Sequence, residues 1–91
     1  MHFTVLYHPD VKKIDLPQIN KDIKLRIKKA IEERLMTEPE KYGKPLRKTL
    51  KKYWKLRVGD YRIVYEINGN EVFVYGILHR KKAYDEIKKR I

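Results

Sequence analysis

Three runs of β-branched, aromatic and aliphatic residues, Tyr53–Val58, Tyr61–Ile67 and Val72–Leu78, lie almost end to end in the second half of this chain. Gly59-Asp60 separates the first two, and Asn68-Gly69 falls between the second and third. Both pairs suit the positive backbone angles of a two-residue hairpin turn, the Asn-Gly pair most strongly. A chain written this way is directed to an antiparallel meander. The first turn also sets the register: Val58 faces Tyr61, Arg57 faces Arg62, Leu56 faces Ile63, Lys55 faces Val64 and Trp54 faces Tyr65. Because side chains alternate between faces, Trp54, Leu56, Val58, Tyr61, Ile63 and Tyr65 are expected on a core face. Lys55, Arg57, Arg62 and Val64 take the other. Carrying the alternation through the second turn puts Phe73, Tyr75, Ile77 and His79 on the Arg62 side.

The first half reads differently. Phe3–Tyr7 is a short strand ended by His8-Pro9-Asp10. Val11, Ile14 and Asp15 suit a brief helix that Leu16-Pro17 interrupts. Ile19, Ile23, Ile27, Ile31 and Leu35 then recur every fourth residue, the stripe of a core-facing helix from about Gln18 to Met36. Pro39, Gly43 and Pro45 mark a loop. In the tail, Ala83, Ile87 and Ile91 keep helical spacing. The order βααβββ predicts an α+β fold, a mostly antiparallel sheet with two N-terminal helices on one face and a short C-terminal helix. At 91 residues, positions 1–91 are expected to form a single domain.

Charge narrows the function. The chain carries 23 Lys+Arg against 12 Asp+Glu, a formal balance of +11. Residues 44–62 hold eight bases and one acid, whereas residues 1–43 hold nine bases and seven acids. So concentrated an excess favours a polyanionic partner, nucleic acid above all. The Arg57–Arg62 pair sharpens this. Like charges directly opposite across a ladder cost about 0.2–1 kcal/mol, and a bound phosphate relieves that cost through the planar guanidinium fork. Tyr53, Phe73 and Tyr75 border the same face, where rings either pack or stack on bases.

The residues Lys55-Leu56-Arg57-Val58-Gly59-Asp60-Tyr61-Arg62-Ile63-Val64-Tyr65-Glu66 resemble the central hairpin of the RelE toxins, within the RelE/ParE superfamily of toxin–antitoxin systems. Lys44-Pro45-Leu46-Arg47 upstream and Gly76-Ile77-Leu78-His79-Arg80-Lys81-Lys82-Ala83-Tyr84 downstream extend the likeness over nearly the whole chain. The resemblance implies a cytoplasmic endoribonuclease that cuts messenger RNA in the ribosomal A site without a metal or cofactor. It also implies a RelB-like antitoxin partner. The implied catalytic residues are Lys55 as base, Arg62 and Arg80 on the phosphate, and Tyr84. Arg47, Lys52, Arg57, His79 and Lys81 are the implied RNA contacts. The family's use of Lys and Arg asks for a crowded cationic face, since that environment eases deprotonation of a lysine. His79, if it shares the Arg62 face, is a further acid/base candidate. Some family members carry a second lysine where this chain has Tyr53, and the Arg80-to-Tyr84 spacing is shorter than in well-known members. The alternative is a ParE-like toxin that inhibits DNA gyrase, for which the set Lys55, Arg62 and Arg80 has no evident use.

Other classes recede. With no cysteine there is neither a disulfide frame nor a thiolate metal site. His2, His8 and His79 are scattered and lack an acidic cluster, so no metal site is expected. The longest apolar run, Val72 to Leu78, is far short of the ~20 residues of a membrane span. The opening Met-His-Phe-Thr-Val-Leu-Tyr-His has no basic region followed by an apolar stretch, so no export signal is expected.

Overall fold

The computed structural model describes residues 2–46 and 52–91. Its meander is the one the turns dictate. Strands β3 (Tyr53–Val58), β4 (Tyr61–Asn68) and β5 (Glu71–His79) run antiparallel. Every predicted β3–β4 pairing is present, including Arg57 opposite Arg62. Gly59, at φ 58°, supplies the left-handed turn conformation that L side chains resist. The second turn sits one residue later than Asn68-Gly69, because Asn68 still pairs with Glu71.

Two further strands complete a five-stranded sheet of order β1-β5-β4-β3-β2. Strand β1 (Thr4–Tyr7) lies parallel to β5, and the two-residue β2 (Lys44–Pro45) lies antiparallel to β3. The parallel edge makes the sheet mixed, though mostly antiparallel as expected. Helix α1 spans Lys21–Ala30 and widens into a π-type segment, Ile31–Leu35. It begins later than the Ile stripe predicts, because Asn20 caps it by accepting from the Ile23 N–H at 3.0 Å. The expected first helix is two tight pieces, a π-type turn over Val11–Asp15 and a 3₁₀ turn over Leu16–Gln18. A short helix α2 (Pro39–Tyr42) accepts the Tyr65 hydroxyl at the Pro39 carbonyl, 2.7 Å away.

The main core lies between these helical pieces and one sheet face, where Ile27, Ile31 and Leu35 meet Leu56, Ile63 and Tyr65. Trp54 and Tyr61 join it half-buried. The opposite face is not bare. Helix α3 (Ala83–Arg90) crosses it, and Ala83 and Ile87 bury themselves against Val64, Leu78, Leu46 and Tyr53. That second small core holds α3 beside the basic residues of β3 and β4.

One register change corrects the sequence reading. Val64 pairs with Gly76, but Tyr65 pairs with Val74, so Tyr75 is an extra residue in β5. Such a bulge reverses the alternation beyond it. Phe73 and Tyr75 keep the expected face, and the Tyr75 hydroxyl donates to Glu66 at 2.8 Å. Ile77 and His79 do not: Ile77 faces Ile63 and His79 faces Tyr61, on the core side. Arg62 has Leu78 opposite it instead.

The bulge lies where β1 has already ended, so backbone groups of β5 there need other partners. Asp15 and Arg90 supply them. Asp15 Oδ2 accepts the Ile77 N–H at 2.9 Å, and Arg90 Nη1 donates to the Tyr75 carbonyl at 3.1 Å. The two side chains meet in a bidentate pair, both contacts at 2.7 Å, with side-chain exposures of 4% for Arg90 and 1% for Asp15. Gly76 makes room for this: a Cβ there would stand 3.0 Å from Arg90 Nη1 and 2.9 Å from Leu78 Cδ1. The hydrogen bonds to Asp15 raise the Arg90 pKa further above its ordinary value.

Removing one partner of a buried pair strands the other charge and costs about 3–5 kcal/mol. Arg90→Met should therefore lose stability on that scale in equilibrium urea unfolding. Adding Asp15→Asn, which keeps the acceptor for Ile77, should restore part of the loss. Equal losses in the single and double variants would contradict this account.

Candidate functional site

Arg62 and Lys55 project from neighbouring strands, two residues apart along the ladder, on the face that α3 flanks. Arg80 follows the end of β5, where its N–H donates to the Asp60 carbonyl at 2.8 Å. Tyr84 comes from the first turn of α3. All four side chains line one cleft of about 170 Å³, whose apolar floor and wall are Val64, Leu46, Ala83 and Ile87. The four expected catalytic residues, drawn from β3, β4, the turn after β5 and α3, are thus brought together.

Inside the cleft, Lys55 Nζ donates to the Tyr84 hydroxyl at 3.4 Å and lies 5.7 Å from the centre of its ring. Arg62 Nη1 donates to the Gly59 and Tyr61 carbonyls at 3.2 and 3.0 Å, which holds the guanidinium along the hairpin tip. Desolvation first, then the fields of Arg57 and Arg80, lower the Arg62 pKa from its ordinary value. Asp60 Oδ1 stands 3.9 Å from Arg80 Nε, an exposed pair worth little in water. The arrangement gathers two guanidinium groups and an ammonium around one cleft, with one carboxylate at the rim, a charge pattern that can receive an anion. It fits a phosphodiester, whose non-bridging oxygens match the guanidinium forks.

The remaining expected contacts scatter. Arg57 is exposed opposite Arg62 but opens onto a different hollow, with Arg26, Lys29 and Arg34. Lys52 points along the sheet to Glu66, 3.9 Å away, and over the Tyr53 ring. Lys81 is exposed beyond Arg80. His79 does not share the cleft: the bulge turns it toward Tyr61, whose ring it meets edge-on at 5.6 Å. Arg47 lies outside the described residues. Tyr53 is buried and, with Phe73, packs on Tyr75 at 5.3 and 4.7 Å, so packing rather than base stacking occupies these rings.

Two features escaped the sequence reading. The Asp15–Arg90 pair positions α3, and hence Tyr84. Its signal was an acid on the apolar stripe, since Val11, Asp15 and Ile19 are spaced by four and all buried, while Ile14 is 43% exposed. Asp60, the one acid of residues 44–62, ties the hairpin tip to Arg80. Among the described residues no group of three His, Cys, Asp or Glu side chains is placed to hold a metal ion. Nor, among them, is any helix long and apolar enough to cross a membrane.

The family model described as ParE toxin of type II toxin–antitoxin system, parDE, matches residues 5–84. The chain belongs to the RelE/ParE superfamily of such toxins. It is 36% identical to Toxin RelE3 of Methanocaldococcus jannaschii, over 78% of this chain and 84% of that protein. The toxin–antitoxin complex RelBE2 of Mycobacterium tuberculosis contains a chain that superposes with a TM-score of 0.80 at 28% identity, covering 88% of this chain and 100% of that one. The RelB–RelE antitoxin–toxin complex of Methanococcus jannaschii gives 0.67 at 32% identity, covering 89% and 96%. Within the superfamily, this is a RelE-like toxin.

The Arg57–Arg62 opposition should show in stability. Arg57→Thr should stabilise the fold by about 0.2–1 kcal/mol, the cost of a like-charge cross-strand pair. A higher urea midpoint at unchanged slope is the expected result; a lower midpoint would mean that Arg57 makes compensating contacts.

Proposed function

We propose that the chain, acting as one toxin domain, is a ribosome-dependent endoribonuclease that cleaves messenger RNA in the A site and so stops translation in the cytoplasm. The observation that carries this reading is the convergence of Lys55, Arg62, Arg80 and Tyr84 on one cleft. The chemistry is transfer within the RNA strand. The ribose 2′-oxygen attacks the adjacent phosphorus while its proton passes to Lys55 in its neutral amine form, which keeps an N–H on the Tyr84 hydroxyl and turns its lone pair to the 2′-OH. The P–O5′ bond breaks, and the 5′-oxygen takes a proton from water at the open mouth of the cleft. The products are a 2′,3′-cyclic phosphate and a 5′-hydroxyl. Arg62 and Arg80 hold the non-bridging oxygens as charge builds on them, the preorganised stabilisation that contributes most in such transfers. Phosphate contacts of this kind position RNA without reading its sequence, so codon placement falls to the ribosome.

A RelB-like antitoxin is the proposed protein partner. The structural relatives named RelB–RelE complexes support it, and so does the excess positive charge, which an acidic amphipathic segment complements. An apolar groove between Tyr7, Val11, Leu16, Ile27 and Ile31, rimmed by Lys12, Lys24 and Lys28, offers such a segment a seat.

The matching family model is described as ParE toxin, which makes gyrase inhibition the competing reading. Programmed ribosomes incubated with purified protein, with primer extension across the message, separate the two. Cuts within the A-site codon are expected. Arg62→Ala and Arg80→Ala should each slow cleavage at least about ten-fold, an increment of roughly 1.4 kcal/mol, with unfolding midpoints near that of the parent. Intact message together with trapped DNA–gyrase complexes would overturn the nuclease reading, and full-speed cleavage by Arg62→Ala would overturn the site assignment.

A further inference from the structure

Helix α1 and its continuation place Arg26, Lys29 and Arg34 on the solvent side, beside Arg57 and the Gly59 turn. The four cations surround a hollow of about 590 Å³ that contains one acid, Glu33. Lys41, Lys52, Arg80, Lys89 and Arg90 have carboxylate partners within 4.0 Å, whereas other cations of the described residues, Lys55 and Arg62 of the cleft among them, do not. Among the described residues, Arg26, Lys29, Arg34 and Arg57 have none.

This hollow and the cleft lie on either side of the hairpin tip. Arg26 approaches the Gly59 turn from the helix layer, its guanidinium nitrogens 3.7 Å from where a Cβ would stand, and Arg62 binds the Gly59 carbonyl from the cleft side. The two arginines flank one residue of the hairpin tip. Strand β2 pairs with Trp54 and Lys55, and among the described residues no strand pairs with the Leu56–Val58 part of that β3 edge. A band of positive charge therefore wraps the tip, from Arg80 and Arg62 through Arg57 to Arg26, Lys29 and Arg34.

We propose that Arg26, Lys29, Arg34 and Arg57 form a second phosphate-binding surface, which holds folded RNA outside the cleft. Folded RNA fits better than a protein segment. Protein interfaces take their energy from apolar and aromatic anchors in desolvated pockets, and this hollow offers only Ala30 and Val58, both buried. The RNA backbone needs only cations. Folded RNA also fits better than the strand in the cleft, because the band turns from one face of the sheet to the helix layer on the other. The inference deepens the nuclease reading, and its test needs no cleavage.

The test compares the parent with the triple variant Arg26→Gln/Lys29→Gln/Arg34→Gln. Each is titrated with a four-nucleotide 2′-O-methyl RNA, which reaches only the cleft and cannot react, and with purified small ribosomal subunits. Each removed phosphate contact should flatten the plot of log affinity against log salt by roughly 0.7–0.9. For subunits, a slope smaller by about 2 and at least about ten-fold weaker binding are therefore expected, with oligonucleotide binding unchanged. Unchanged subunit binding would overturn the proposal. So would equal weakening for both RNAs, which would assign the cations to the strand in the cleft. Lost affinity for a polyglutamate peptide with subunit binding intact would mark the surface as a seat for acidic protein, also against the proposal. If the parent binds subunits with this salt dependence yet fails to cut message, only the nuclease reading falls.

Discussion

A buried ion pair between residues 75 positions apart determines how this small molecule closes. Asp15 comes from the first helical turn and Arg90 from the last helix. They meet over the bulged stretch of β5 and bind the backbone groups that β1, ending at Tyr7, no longer reaches. A desolvated charge pair is expensive unless its hydrogen bonds are complete. Here Asp15 accepts three contacts and Arg90 Nη1 bridges to the Tyr75 carbonyl. The pair therefore works as a lock with one solution. It fixes α3 against the outer face, and α3 carries Tyr84 to Lys55.

The cleft shows the opposite electrostatic economy. Its cations are left short of partners, and two arginines face each other across β3 and β4. That arrangement gives up some fold stability, and under the proposed function it gains a surface that an anion completes, the usual exchange at a functional site. The Arg62 pKa is lowered from its ordinary value first by desolvation and then by Arg57 and Arg80, so the like-charge opposition adds to the cost of partial burial. The molecule thus contains two kinds of arginine: Arg90, paired with a buried carboxylate, and Arg62, held only by the backbone carbonyls of the hairpin tip.

The β3–β4 hairpin was fully legible because Gly59-Asp60 allows one turn and one register, and that register already paired Arg57 with Arg62. The placement of Lys55 beside Arg62 followed from it. His79 was misread because the alternation was carried past Gly76. A glycine inside a strand run often marks a bulge, and here it does, adjacent to the extra residue Tyr75. The Ala83-Ile87-Ile91 spacing announced a helix but not which sheet face would receive it; Val64 and Leu78 on the outer face decide that, and Ile91 remains exposed. Helical spacing accounts for the backbone of Asp15 but not its side chain, since a carboxylate on the buried Val11–Ile19 stripe requires a buried partner, here Arg90.

The most direct measurement is end-group analysis of message cut on programmed ribosomes by the purified protein. Attack by the neighbouring 2′-oxygen predicts an upstream fragment ending in a 2′,3′-cyclic phosphate and a downstream fragment beginning with a 5′-hydroxyl. A downstream 5′-phosphate, the signature of water attacking phosphorus, would contradict the chemistry assigned to Lys55, Arg62, Arg80 and Tyr84.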